Sequence, residues 1–124
     1  LVSHLLGARR VGATLDEVGA AKTAVVAALA HPLVVRAAKA AERGECRRET
    51  PIVMPLEDGG VLDGVIDLAF RETTPEGPVW LVVDFKTDSD VEAHGAAYET
   101  QVSLYVRAVE KATGERARGI LLSV

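Results

Sequence analysis

A chain of 124 residues is long enough to bury one hydrophobic core and too short for two. Its 48% hydrophobic and 26% charged residues exclude disorder and collagen-like repeats, and no apolar run approaches the length of a membrane span. The net charge of −4 argues against simple electrostatic adhesion to nucleic acid, and the single cysteine, Cys46, excludes an internal disulfide, a thiolate zinc site and a four-cysteine iron–sulfur cluster.

In chain order, LVSHLLGARR is expected to be the end of a helix carrying His4. Thr14-Leu15-Asp16-Glu17 has the form of a capping box, and the alanine-rich run to Ala30 supplies strong helix formers. His31 is expected to cap the next helix, with Pro32 in its first turn and a body over Leu33 to Arg43 that ends at Gly44. Residues 1–44 therefore read as helical, ahead of a mixed core over 45–124 in a single domain. RRETPIVMPLE and VLDGVIDLAF read as two strands around Asp58-Gly59-Gly60, which suits a hairpin turn. After the loop TTPEGP, the near-continuous apolar run VWLVVDF predicts a third strand, with Trp80 in the core and both faces covered. His94 falls in a predicted loop. A helix follows over Ala96 to Ala112, with Tyr98, Gln101, Val102 and Tyr105 on one face and Gly114 as its stop. GILLSV closes the chain as a last strand. The class is α/β (α+β), a mixed sheet crossed by a helix.

Three charges interrupt this apolar grammar. Asp84 and Lys86, two residues apart at the end of a strand, point to one face, and Asp67 sits inside GVIDLAF on the preceding strand. Antiparallel pairing brings Asp67 beside Asp84. Two such carboxylates repel unless one keeps its proton or a divalent cation lies between them, and hard oxygen ligands point to magnesium, manganese or calcium. A nearby ammonium can orient water or stabilise charge on a phosphate, so metal-dependent phosphodiester hydrolysis is the expected chemistry. The plainer reading of Asp84 and Lys86 alone is an ion pair of little energetic weight.

RETP at 48–51, LEDGGVLDGVIDLAF at 56–70, VVDFKTD at 82–88 and QVSLYV at 101–106 together resemble the PD-(D/E)XK nuclease superfamily. Within it the likeness is to the C-terminal nuclease domain of RecB- and AddA-type helicase–nucleases, and LVSHLL resembles the histidine motif of that branch. The resemblance implies a restriction-endonuclease-like core of order α-β-β-β-α-β preceded by extra helices. It makes Asp67 and Asp84 metal-binding carboxylates, Lys86 the catalytic lysine, and His4 and the backbone carbonyl of Phe85 further ligands. Gln101 belongs to the catalytic set and, with Tyr105, forms the Q-x-x-x-Y helix motif that shapes the site and holds DNA. Glu49 matches a recurrent glutamate on the first strand. The implied cofactor is Mg2+ or Mn2+, with no iron–sulfur cluster. The implied partners are DNA, UvrD-like helicase domains on the parent chain and an AddB- or RecC-like subunit, in a bacterial cytoplasm.

The chain opens at Leu1 without methionine and stops inside an apolar run, which reads as a piece of something longer. No phosphate-loop pattern G-x-x-x-x-G-K-[ST] occurs, so ATP hydrolysis is not assigned to these residues. The competing readings are a catalytically inactive nuclease-like scaffold for DNA or subunit contact and, behind it, a phosphoesterase acting on small substrates.

Overall fold

The computed structural model describes residues 2–6 and 31–123. Its elements are β1 (Val2–Leu6), α1 (Pro32–Glu42), β2 (Cys46–Pro55), β3 (Val61–Thr74), β4 (Gly77–Lys86), α2 (Asp88–Thr113) and β5 (Arg116–Ser123). The helix expected from Leu15 to Ala30 lies outside the described residues.

One five-stranded mixed sheet carries the fold, in the order β1-β5-β4-β3-β2. β2, β3 and β4 form an antiparallel meander; β4 then crosses through α2 to the parallel strand β5, which also pairs in parallel with β1. The expectation of a helix around His4 is corrected: Val2–Leu6 is a strand, with His4 opposite Leu121. The segment VSHLL gives no polar face to a helix, and pairing with β5 satisfies its backbone groups instead. The N-terminal part is therefore not uniformly helical.

Helix α1 begins as its sequence dictates. His31 is extended and accepts a hydrogen bond from the Leu33 N–H at Nδ1 (3.0 Å), and Pro32 follows where a missing N–H does no harm. Leu33, Ala37 and Ala40 form its buried stripe and pack on Leu68, Phe70, Leu81, Val83, Ile120 and Leu122. On the opposite face of the sheet, Val102, Tyr105 and Val106 of α2 pack on Ile66, Ala69, Val82 and Leu121. Both faces are covered. That sandwich explains the continuous hydrophobicity of β4, in which Leu81 and Val83 face one helix and Val82 the other.

The loop expected at TTPEGP contracts to a tight turn, because β3 runs on to Thr74 and β4 starts at Gly77, whose φ of 111° suits glycine alone. Helix α2 starts at Asp88 rather than near Ala96. Thr87 caps it by accepting from the Asp90 N–H, and Asp88 and Asp90 complement the dipole of the first turn. His94, expected in a loop, lies inside this helix with non-helical torsions (φ −137°, ψ 20°), so the element is two helical pieces joined at a kink.

At the far end of the sheet Arg71 ties four segments together. It reaches Glu115 at 2.8 Å and Glu45 at 2.6 Å, and Glu115 also accepts from the Trp80 indole at 3.0 Å. This polar anchor is why Trp80 is half-buried rather than sealed in the core. Among the described residues, no helix is long and apolar enough to cross a membrane.

Candidate active site

The antiparallel ladder of β3 and β4 stops at Leu68 opposite Val83, and the next residues along each strand are Asp67 and Asp84. On its other side, β3 pairs with β2 through Arg48–Leu68 and Thr50–Ile66, skipping Glu49 and Asp67 between them. Asp67 therefore stands where both ladders open. Its Oδ2 accepts a hydrogen bond from the Phe85 N–H at 3.0 Å, which holds the carboxylate against the end of β4.

Asp84 is a buried charge-bearing residue, with only 4% of its surface exposed. Its Oδ2 has Lys86 Nζ at 3.4 Å, close enough for an ion pair, but makes no hydrogen bond. Burial pushes this carboxyl up to about 6, the Asp67 carboxylate beside it adds to the rise, and Lys86 opposes it. A buried carboxylate with an unsatisfied oxygen is unfavourable unless something else meets it.

Lys86 extends over the ring of Tyr98, with Nζ 4.6 Å from the ring centroid. The next strand secures the start of α2, since the hydroxyl of Ser123, opposite Lys86 in register, donates to Asp88. Tyr105 is buried and faces the same region. Burial raises its hydroxyl, the negative charge of Asp84 raises it further, and Lys86 works the other way. The hydroxyl fits because Gly64 has no side chain: a Cβ there would come within 3.1 Å of the Tyr105 ring and closer still to its oxygen. Gln101 lies one turn before Tyr105 and is half-buried; no hydrogen bond from it to the carboxylates is found among the described residues.

A cavity of about 750 Å³ opens beside the pair, lined by Arg48, Glu49, Asp67 and Phe85. Glu49 adopts a left-handed backbone, φ 47°, the sole non-glycine residue to do so among those described. A second space of about 560 Å³ runs from Asp67, Phe85 and Arg48 beneath α1, where Val34, Ala37 and Ala41 form apolar walls. Arg48, a basic residue beside Arg47 at a strand start, carries no distinguishing signal in the sequence. Tyr98 was seen on the correct helix face, but its contact with Lys86 depends on how α2 packs.

The structure thus gathers Asp67, Asp84, Lys86, Tyr105 and the Phe85 backbone, with Glu49 lining the cavity beside Asp67. His4 stands in the same register row as Asp84, with Leu121 between them, and its side chain lies outside the described residues. Among the described residues no group of three or more His, Cys, Asp or Glu side chains converges as a ready metal cage. The donor set nevertheless suits a hard cation: two carboxylates meet at one point, and one of them has an oxygen with no hydrogen bond. No family model, curated protein or solved structure matches this chain.

Proposed function

We propose that this chain is a metal-dependent deoxyribonuclease module that hydrolyses phosphodiester bonds. The observation that carries the reading is the buried Asp84 carboxylate, unsatisfied at Oδ2, beside Asp67 and within 3.4 Å of the Lys86 ammonium. A structural ion pair gives no reason to bury a second carboxylate against the first, whereas a cation and a phosphate together balance the charges.

In this reading Asp67 and Asp84 hold Mg2+ or Mn2+, with the Phe85 carbonyl and His4 as further ligands. The bound ion would supply an activated water and neutralise charge on the phosphate. The protein's own groups do the rest. The Phe85 N–H fixes the orientation of Asp67, leaving its other oxygen for the ion. Lys86 presents a cation to the non-bridging phosphate oxygens where charge develops. Glu49 lines the cavity in which DNA lies, and Gln101 and Tyr105 of α2 support the site.

The sequence resemblance extends the proposal to the parent protein: an exonuclease module of a RecB- or AddA-like helicase–nuclease that processes double-strand breaks. UvrD-like helicase domains and an AddB- or RecC-like subunit are its proposed partners, in the cytoplasm. The test is cleavage of labelled single- and double-stranded DNA with Mg2+ or Mn2+, beside an EDTA control and Lys86→Ala. Metal-dependent cutting that disappears in the variant supports the reading. Absence of both cutting and calorimetric Mn2+ binding would leave the inactive scaffold as the better account.

A further inference from the structure

We propose that Tyr98 is the positioning residue for the Lys86 ammonium, holding it in place independently of Asp84. The inference rests on the proposed role of Lys86 at the scissile phosphate.

Two groups flank Nζ: Asp84 Oδ2 at 3.4 Å and the Tyr98 ring centroid at 4.6 Å. They differ in what happens when the site is loaded. Once the Asp84 carboxylate is shared with a divalent cation, its charge no longer draws the ammonium, and the cation repels it. The face of an aromatic ring keeps its negative quadrupole whatever Asp84 does. Without such a face, a flexible four-carbon side chain would turn away to solvent, since a quarter of it is already exposed.

The Tyr98 ring is itself held. It packs against the apolar cluster beneath α2, and His94 meets it edge-on, with centroids 6.1 Å apart and planes at 77°. The kink at His94 falls one turn before Tyr98, so the helix carrying the ring can take its angle separately from the turn capped by Thr87. Asp88 in that first turn is fixed to Ser123, the register neighbour of Lys86.

The test reads position directly. Protons on the lysine ε-carbon above an aromatic ring are displaced upfield in NMR, and the Lys86 signal is identified by its loss in Lys86→Arg. The expected result is an upfield ε-methylene in the wild-type chain that persists in Asp84→Asn and Tyr98→Phe and returns to the ordinary position in Tyr98→Leu. An ordinary position in the wild type, or one produced by Asp84→Asn, overturns the proposal, and the wild-type spectrum decides even where a variant fails to fold. In cleavage assays Tyr98→Leu should lower kcat by about tenfold with little change in KM, as for loss of a partly desolvated cation–ring contact, and Tyr98→Phe should restore it. Wild-type kcat in Tyr98→Leu also overturns the proposal. Absence of cleavage by the wild type would instead sink the nuclease reading, while the spectra still decide what holds Lys86.

Discussion

The Phe85 N–H, near the end of β4, donates to Asp67 Oδ2 in the middle of β3, where the β3–β4 ladder stops, so the backbone next to Asp84 fixes the carboxylate of the neighbouring strand. This bond separates two roles of Asp67 that mutation can distinguish. Asn retains an oxygen able to accept from Phe85 but loses the charge; Ala loses both. Asp67→Ala is expected to lose a hydrogen bond to a charged group, worth about 1.5–3 kcal/mol and offset in part by relief of the repulsion on Asp84. Asp67→Asn keeps the bond, gains the same relief and should be the more stable of the two. Both should abolish metal-dependent cleavage. Urea unfolding beside DNA cleavage checks the split, and equal destabilisation would show that the bond contributes little.

Asp84 predicts an unusual pH dependence for the metal-free protein. Its carboxyl is raised to about 6 from an ordinary 3.8, chiefly by burial and then by Asp67. Between those two values the native state keeps a proton at Asp84 that the unfolded chain has released, so this residue's contribution to stability falls as pH rises through the window and stays reduced above it. Asp84→Asn should therefore raise the urea midpoint at pH 7.5 and change it little near pH 4. Addition of Mg2+ at pH 7.5 should raise the melting temperature of the wild type and not of Asp84→Asn. A gap between the Asp84→Asn and wild-type midpoints that fails to widen as pH rises across the window would contradict this account of Asp84, since the ion-paired Glu45, Glu72 and Glu115 contribute equally to both chains.

The sequence revealed most where local chemistry and burial agree. The cap at His31, the stop at Gly44, the turn at Asp58-Gly59 and the doubly buried run in β4 each have one physical solution, and each element formed within a few residues of its expected place. The neighbours Asp67 and Asp84 were legible for the same reason, since charges inside apolar strands must meet something. Long-range information was not. Whether VSHLL is helix or strand depends on the free edge of β5, and neither that edge nor its register can be read from five residues. The sequence suggests a late start for α2 because Gly95 interrupts the periodicity, while Thr87 and the acidic first turn begin the helix earlier. Tyr98 as a ring beneath Lys86, and Gly64 as a gap beneath Tyr105, belong to pairs made by packing across the sheet.

The Gly64–Tyr105 pair yields a cycle. Gly64→Ala places a methyl where the Tyr105 hydroxyl lies, and should destabilise the protein by about 1–3 kcal/mol through overpacking. Tyr105→Phe removes the oxygen, the closest of these contacts, and leaves the ring 3.1 Å from that methyl, so that only a small shift is needed. The double variant is then expected to be more stable than the sum of the two single changes implies, with a coupling of about 1 kcal/mol or more for residues in direct contact. Additive effects in thermal or urea unfolding would mean that the hydroxyl moves aside freely, and that its nearness to Asp84 is not enforced by packing.

Glu49 makes the sharpest case for a stability concession at the site. A non-glycine residue at φ 47° carries strain of roughly 1–2 kcal/mol, because its Cβ crowds the backbone, yet it occurs here beside Asp67 where the β2–β3 ladder is broken. Glycine adopts this conformation without the clash, and alanine does not. Glu49→Gly should therefore raise stability by about 1 kcal/mol and Glu49→Ala should not, the glycine gain being reduced by the greater freedom of its unfolded chain. If the carboxylate works in the cavity it lines with Arg48 and Phe85, both variants lose DNA cleavage by a similar factor, so that activity and stability move in opposite directions in Glu49→Gly. Unfolding midpoints and single-turnover cleavage rates on the two variants test this. Gain of stability with full activity would reduce Glu49 to a strained edge residue, and loss of stability in Glu49→Gly would show that its side chain holds the strand end together.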